Sequence, residues 1–532
     1  MRRIVGMGVG LISSFVSGAD ASDRLGLYTQ DQFQTVHGVC QPCQVLPQTQ
    51  WYFRHETVAL PQPGLPVSKH HNDKRGADDT EALNPDALPE LVWIGASQQW
   101  SQMTLATDSS EIITAQGERW QFNLVPKIAS NHAYWNAETR RFIGQAPLSV
   151  RGELTGKTLV ARTVWPQPFK LNLTASTQPL RPGESLQSLV QFAHGGARSP
   201  YHSRLLWEKS PGAGQQSSGK AALGILLNGA QGDDDEAHGG HFALATGVVG
   251  AEGEYATWLV NNYYNLASNS EKGIIAAVTP FDKYMGDLNS GQAFYRPSYM
   301  LVAVFSQPHI PQQIQALNNR VFQHFYRNDF VYDHARENCA GISIDTLRNL
   351  GWQVPPRGVE SLLKASAAYW YLAATERSLQ KGRAIYDYLN TEMTRLFPAV
   401  AFDAIGNDLL NIAHTGDKTT LTSTVMQPMA EQLEAIYFVR IPQIPSSRDY
   451  GLAPVYSFAQ YQQQAPADRS QWKIIPVTPN PLPQHLKEGL ALKTQPPALV
   501  PVAAILFLIS LVGGFWIITK LATTWLKRIW RR

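Results

Sequence analysis

The chain has 532 residues, with 45 lysines and arginines against 42 aspartates and glutamates and a formal net charge of +3. That length predicts two or three domains with ample core. The near-balanced charge has no basic stripe of the kind nucleic-acid binding needs, which excludes that class.

The N-terminus reads as a secretory signal. Arg2 and Arg3 precede a short apolar run at 4–16, and Ala19-Asp20-Ala21 is an A-x-A cleavage site. Cleavage is expected after Ala21, so 1–21 is assigned as a signal peptide; the alternative is a retained anchor. Residues 22–190 are expected to form a β-rich accessory domain. Short runs rich in β-branched and aromatic residues, at 51–53, 91–94, 111–114, 159–161 and 171–174, are separated by turn clusters. Within it, Cys40 and Cys43 form a C-x-x-C. A zinc ribbon would need a second such pair. A local disulfide is expected, with a redox pair or a metal site including His37 as alternatives. His70 and His71 lie in a polar loop.

Residues 191–355 are read as a second domain. A Gly/Ser/Gln-rich stretch at 211–220 predicts a flexible loop. Strands are expected at 241–249, 255–263, 273–279 and 298–305. The first two are joined by the turn-rich 250–254. A helix over 311–327 starts with Pro311 and repeats Ile314, Leu317, Val321 and Phe325 at helical spacing. A second helix starts at Cys339, with Ala340, Ile344, Leu347 and Leu350 recurring along it and Gly351 placed to cap its end.

Residues 356–440 read as helical, with aromatics at Tyr369-Trp370-Tyr371. Frequent prolines make 441–497 a stalk. The uncharged 498–519 is long enough for a transmembrane helix, and the basic 520–532 that follows predicts a cytoplasmic tail. Both ends then imply a single-pass protein of the inner (cytoplasmic) membrane, with its body in the periplasm.

With Cys40 and Cys43 paired, Cys339 of the chain's three cysteines is left without a partner. It is an inert buried thiol or a nucleophile. Its place in Glu337-Asn338-Cys339-Ala340-Gly341, at a helix start, favours thiolate. Upstream, His238-Gly239-Gly240-His241 opens a strand and supplies an imidazole, the usual base for such a thiol. His241, Ala243, Ala245 and Gly247 share one strand face. Those small residues would let the helix carrying Cys339 approach, while Phe242, Leu244, Thr246 and Val248 enter a core. Asn338 is either a helix cap or a participant. The acidic 233–236 run with His238 and His241 can also be read as a metal cluster, although H-x-x-H is not a zincin spacing. A solvated acidic loop is the other reading. His334 is a possible second base. His194 has no evident partner.

A Gly-His strand, a hairpin, further strands, a helix and then Asn-Cys at a helix start resembles the circularly permuted papain-like enzymes. These are the permuted NlpC/P60 families, including the lecithin-retinol acyltransferase-like group, and the domain shared with bacterial lipoprotein N-acyltransferases. The resemblance covers about 230–352. It implies an α+β chain with a permuted papain-like domain between an N-terminal β-rich domain and a helical C-terminal region. It implies nucleophile Cys339 and base His241. A third residue orients the imidazole; the longer hairpin here shifts the candidate to Asn261 or Asn262. It implies the Cys339 backbone N–H as an oxyanion donor. The expected activity is a cysteine hydrolase or acyltransferase forming a thioester from an amide or ester. The expected substrate is a peptidoglycan peptide, lipid or lipoprotein, with no cofactor and no metal. The alternative is a non-enzymatic envelope scaffold with a structural Cys339.

Overall fold

The computed structural model describes residues 98–124, 135–191, 199–229, 239–264, 277–286, 296–326, 332–333, 337–445 and 453–464. It also describes the strands of 35–36, 39–40, 58–61 and 91–94. Strands are numbered along the chain.

β1 (Thr35–Val36) and β2 (Val39–Cys40) pair as a small hairpin. β3 (Val58–Pro61) and β4 (Leu91–Ile94) pair with each other. β5 (Gln98–Leu105), β6 (Glu111–Ile113), β7 (Arg119–Leu124), β8 (Leu148–Thr155) and β9 (Thr158–Pro166) close a barrel in the order β5-β6-β7-β9-β8. Closure leaves this small unit without a free edge.

The remaining strands are β10 (His202–Glu208), β11 (Ala221–Asn228), β12 (His241–Val248) and β13 (Leu259–Asn262). β14 (Ala277–Pro280), β15 (Ser298–Phe305) and β16 (Leu433–Ile441) complete the set. With β3 and β4 they form a nine-stranded sheet ordered β10-β16-β15-β11-β12-β13-β14-β3-β4. Every pairing in it is antiparallel.

The sheet is covered on both faces. Leu223, Ile225, Leu227, Phe242 and Leu244 join an apolar layer with the helices His309–Tyr326, Cys339–Leu350 and Pro398–Thr415. Ala222, Leu226, Ala243, Ala245 and Met300 join a second layer with Trp258, Tyr284 and barrel residues such as Val150 and Trp165. The layers are therefore helices, sheet and barrel. A buried pair ties barrel to sheet: Arg151 Nε lies 2.8 Å from Asp282 Oδ2, on the helix Phe281–Gly286 that follows β14. The Thr163 hydroxyl donates to the Asp282 carbonyl at 2.9 Å.

The expected fold is corrected. In place of a permuted papain-like domain flanked by separate β-rich and helical regions, the chain forms a five-stranded barrel and one large sheet. That sheet takes β3 and β4 from the N-terminal region and β16 from the end of the stretch read as helical. The cause is burial on both faces. Ala221–Asn228 and Leu433–Ile441 lack the polar–apolar alternation that marks a half-exposed strand. No helix among the described residues is long and apolar enough to cross a membrane. Residues 498–519, read as the transmembrane helix, lie outside the described residues, as do 1–21, 465–497 and 520–532.

The 211–220 stretch, expected as a flexible loop, is a fastened turn. Glu208 Oε2 accepts from the Gly212 and Gly214 N–H groups at 3.0 and 3.1 Å, and the Tyr437 hydroxyl donates to the Gly214 carbonyl at 2.7 Å. Ser217 is buried against the Tyr437 hydroxyl of β16, while Gln215, Gln216 and Ser218 stay exposed.

Candidate active site

His241 opens β12 immediately after Gly240, whose φ of +84° is open only to glycine at low cost. That turn delivers the imidazole to the end of the sheet, where it is 2% exposed. Its Nε2 lies 2.6 Å from Asn262 Oδ1, on the last residue of β13. A carbonyl oxygen only accepts, so Nε2 carries the proton and Nδ1 keeps the lone pair. Burial and the nearby Arg296 guanidinium push the imidazole down to about 3, against an opposing pull from Asn262. The ring is therefore neutral at physiological pH, with its lone pair open, but burial makes it a weaker base than an ordinary imidazole.

The sheet register continues this row. Asn228 stands opposite both His241 and Ser298. Its Nδ2 donates to Ser298 Oγ at 2.8 Å, and its Oδ1 accepts from the Tyr284 hydroxyl. The Tyr284 ring centre is 6.3 Å from that of His241.

Cys339 is the first residue of the helix Cys339–Leu350. Asn338 is its cap, accepting from the Gly341 N–H at 2.8 Å and donating to the Leu396 carbonyl at 3.2 Å. Gly351, at φ +100°, ends the helix. Such a position frees the Cys339 and Ala340 N–H groups from helical bonding. The Cys339 N–H reaches the Tyr332 hydroxyl at 3.4 Å.

The thiol is held above its ordinary range because burial penalises the thiolate. Hydrogen bonds from the Phe242 N–H, the Tyr332 hydroxyl and the Ala340 N–H, with the Arg296 charge, pull the other way without winning. This corrects the expectation of a primed thiolate. The helix terminus does favour the anion, but Cys339 is only 3% exposed and desolvation outweighs it.

The approach of the helix also differs from expectation. Cys339, Ala340 and Ile344 share their apolar layer with Phe242 and Leu244. The small-residue face of β12 receives Trp258 instead: a Cβ at Gly247 would lie 2.2 Å from that indole ring. The thiol nonetheless lies close enough to the start of β12 for the Phe242 N–H, on the residue after His241, to favour its thiolate.

Of the two asparagines proposed from sequence, Asn262 contacts the imidazole. Asn261 points to the opposite face and exchanges two 3.0 Å hydrogen bonds with Gln315. Thr246 donates to the same Gln315 oxygen at 2.6 Å. Sequence reading missed Asn228, Tyr284, Arg296, Ser298 and Tyr332. The visible hint was a polar residue closing an otherwise apolar run, as Asn228 closes β11.

His70, His71, His194, the 233–236 run, His238, His334 and Cys43 lie outside the described residues, and Cys40 ends β2. Among the described residues Cys339 is a free thiol, and no group of three His, Cys, Asp or Glu side chains is placed to hold a metal ion. Comparison of the chain with protein-family models, curated proteins and solved structures gave no match.

Proposed function

We propose that the chain is an extracytoplasmic cysteine hydrolase or acyltransferase of the cell envelope, held at a membrane by its apolar C-terminal sequence. The feature that carries the chemistry is a thiol at a helix N-terminus that is influenced by the Phe242 N–H, one residue along β12 from an imidazole whose Nε2 is fixed by Asn262 at 2.6 Å.

In this reading the Cys339 sulfur attacks an ester or amide carbonyl carbon, and the thiol proton passes to Nδ1 of His241. The new S–C bond leaves an oxyanion, which the Cys339 N–H receives by giving up its 3.4 Å bond to the Tyr332 hydroxyl. Collapse breaks the bond to the leaving oxygen or nitrogen, which takes the proton from the imidazolium. Water then cleaves the thioester in a hydrolase, or an amine does so in an acyltransferase. With a raised thiol and a depressed imidazole, the resting pair is neutral. Proton transfer accompanies attack instead of preceding it. A peptidoglycan peptide, lipid ester or lipoprotein is the substrate class; its support is the resemblance of the short Gly240-His241 and Asn338-Cys339 motifs to permuted NlpC/P60 enzymes, not the fold.

The second reading is a non-enzymatic scaffold. The near-complete burial of Cys339 favours it. Turnover of a panel of p-nitrophenyl acyl esters and aminoacyl-coumarin amides separates the two. Enzymatic chemistry requires turnover by the intact protein and its loss in both Cys339→Ser and His241→Ala. Equal background rates in all three favour the scaffold.

A further inference from the structure

Two cavities open along the segment that follows β9, and neither is lined by Cys339 or His241. The larger, of about 850 Å³, lies along the outer side of β10, against the segment after β9 and the turn bearing Gln215 and Ser218. The smaller, of about 450 Å³, is walled by barrel residues including Gln99, Ser149 and Gln167 and by Thr257. Both include Pro168, Lys170 and Glu252 in their walls, so they are two halves of one groove with the Lys170–Glu252 ion pair as its sill. Each half is within or near the size range of small-ligand sites.

An aromatic wall runs through both halves. Trp165 and Phe169 line the smaller and Tyr201 the larger. Phe169 stacks on Tyr201 at 4.7 Å and meets Trp165 edge-on at 5.5 Å. Amide and hydroxyl side chains line the same cavities, among them Gln167, Thr174, Gln215 and Ser218.

The lysine and arginine at the groove are already committed. Lys170 is held by Glu252, and Arg204 lies 2.8 Å from Glu184 Oε2. Arg204 also donates to the Gln178 carbonyl at 2.8 Å. Glu254 accepts from the Glu252 N–H at 2.8 Å. An anion would therefore find no spare cation, and an acyl chain would strand the amides against hydrocarbon. The edge of β10 is partly taken, since the Leu205 carbonyl accepts from the Gln178 N–H at 2.7 Å. That opposes addition of a peptide strand.

We propose that this groove binds a neutral oligosaccharide, with its hydroxyls on the amide and hydroxyl side chains and its sugar C–H groups on Phe169 and Tyr201, while Trp165, 2% exposed, backs Phe169 edge-on. The site is separate from the thiol chemistry, so each stands or falls alone.

The test is calorimetric titration of the full chain with tetra-N-acetylchitotetraose, maltotetraose and cellotetraose, with inorganic phosphate and trialanine as counter-probes. At least one tetrasaccharide should bind saturably, and the three arms separate N-acetylated from plain sugars. Gln167→Ala and Gln215→Ala, one in each half of the groove, should each weaken it about tenfold, a loss of about 1.4 kcal/mol, with unchanged melting temperature. Cys339→Ser should bind as the intact protein does. No saturable binding of any tetrasaccharide at about 10 mM, where a Kd of ~1 mM would register, overturns the proposal. So does binding that survives both glutamine changes, or binding of phosphate or trialanine alone.

Discussion

His241 and Asn262 meet at 2.6 Å across the ends of β12 and β13, while the adjacent Asn261 turns to Gln315 on the other face of the sheet. One strand step thus separates an orienting contact from a structural one. Asn262→Ala should lower turnover by about 10- to 100-fold, because the imidazole loses its fixed tautomer and ring orientation. Asn261→Ala should leave turnover per folded molecule unchanged. It should cost roughly 1–3 kcal/mol of stability, because Gln315 loses one of its buried partners and keeps only Thr246 and Asn319. Denaturation midpoints read beside turnover distinguish the two effects.

The buried imidazole makes stability depend on acid. His241 falls from 6.5 to about 3 on folding, chiefly through burial. The unfolded chain then binds more protons than the native one below pH 6.5. This stabilisation is complete above about pH 6.5 and is lost progressively as pH falls toward 3, by up to ~5 kcal/mol. His241→Gln should flatten that part of the curve. Urea midpoints between pH 4 and 7 measure it, and identical slopes in both proteins would contradict the assignment.

A thiol raised by burial should alkylate slowly. In the folded protein without substrate, Cys339 should react with iodoacetamide far more slowly than a free thiol at pH 7. Its rate should keep rising above pH 9, without a plateau near neutrality. Fast labelling at pH 6 would mean that a thiolate–imidazolium pair already exists.

The Arg151–Asp282 pair should be costly to break from one side. Asp282 also accepts from Gln99 Nε2 at 2.9 Å. Asp282→Ala leaves a buried guanidinium uncompensated and should destabilise by about 3–5 kcal/mol. The double change Arg151→Met with Asp282→Leu should recover much of that loss. A double-mutant cycle by chemical denaturation gives the coupling.

How much of this was legible in the sequence follows from what each signal records. The Cys339 helix was readable because Asn338 and Gly351 are local caps around a 3.6-residue apolar period. The start of β12 was readable because Gly239 and Gly240 precede an imidazole and a strand pattern. β11 and β16 were not, since a strand buried on both faces shows no alternation. The small face of β12 predicted a close neighbour, but composition does not say which. Trp258 fills it from the next strand segment, its Nε1 donating to the Val248 carbonyl at 2.8 Å. The thiol's protonation state was illegible because helix position is local and burial is not. Arg296 and Tyr332 join the site from remote segments that carry no motif.

The central claim is nucleophilic attack by Cys339, and acyl-enzyme trapping tests it most directly. The protein is mixed with a p-nitrophenyl acyl ester, quenched in acid within a turnover and digested for peptide mass spectrometry. The account predicts one acyl group on the peptide carrying Cys339, labile to hydroxylamine, absent from Cys339→Ser and strongly reduced in His241→Ala. Ester cleavage with the acyl group on another residue, or on none, would contradict it.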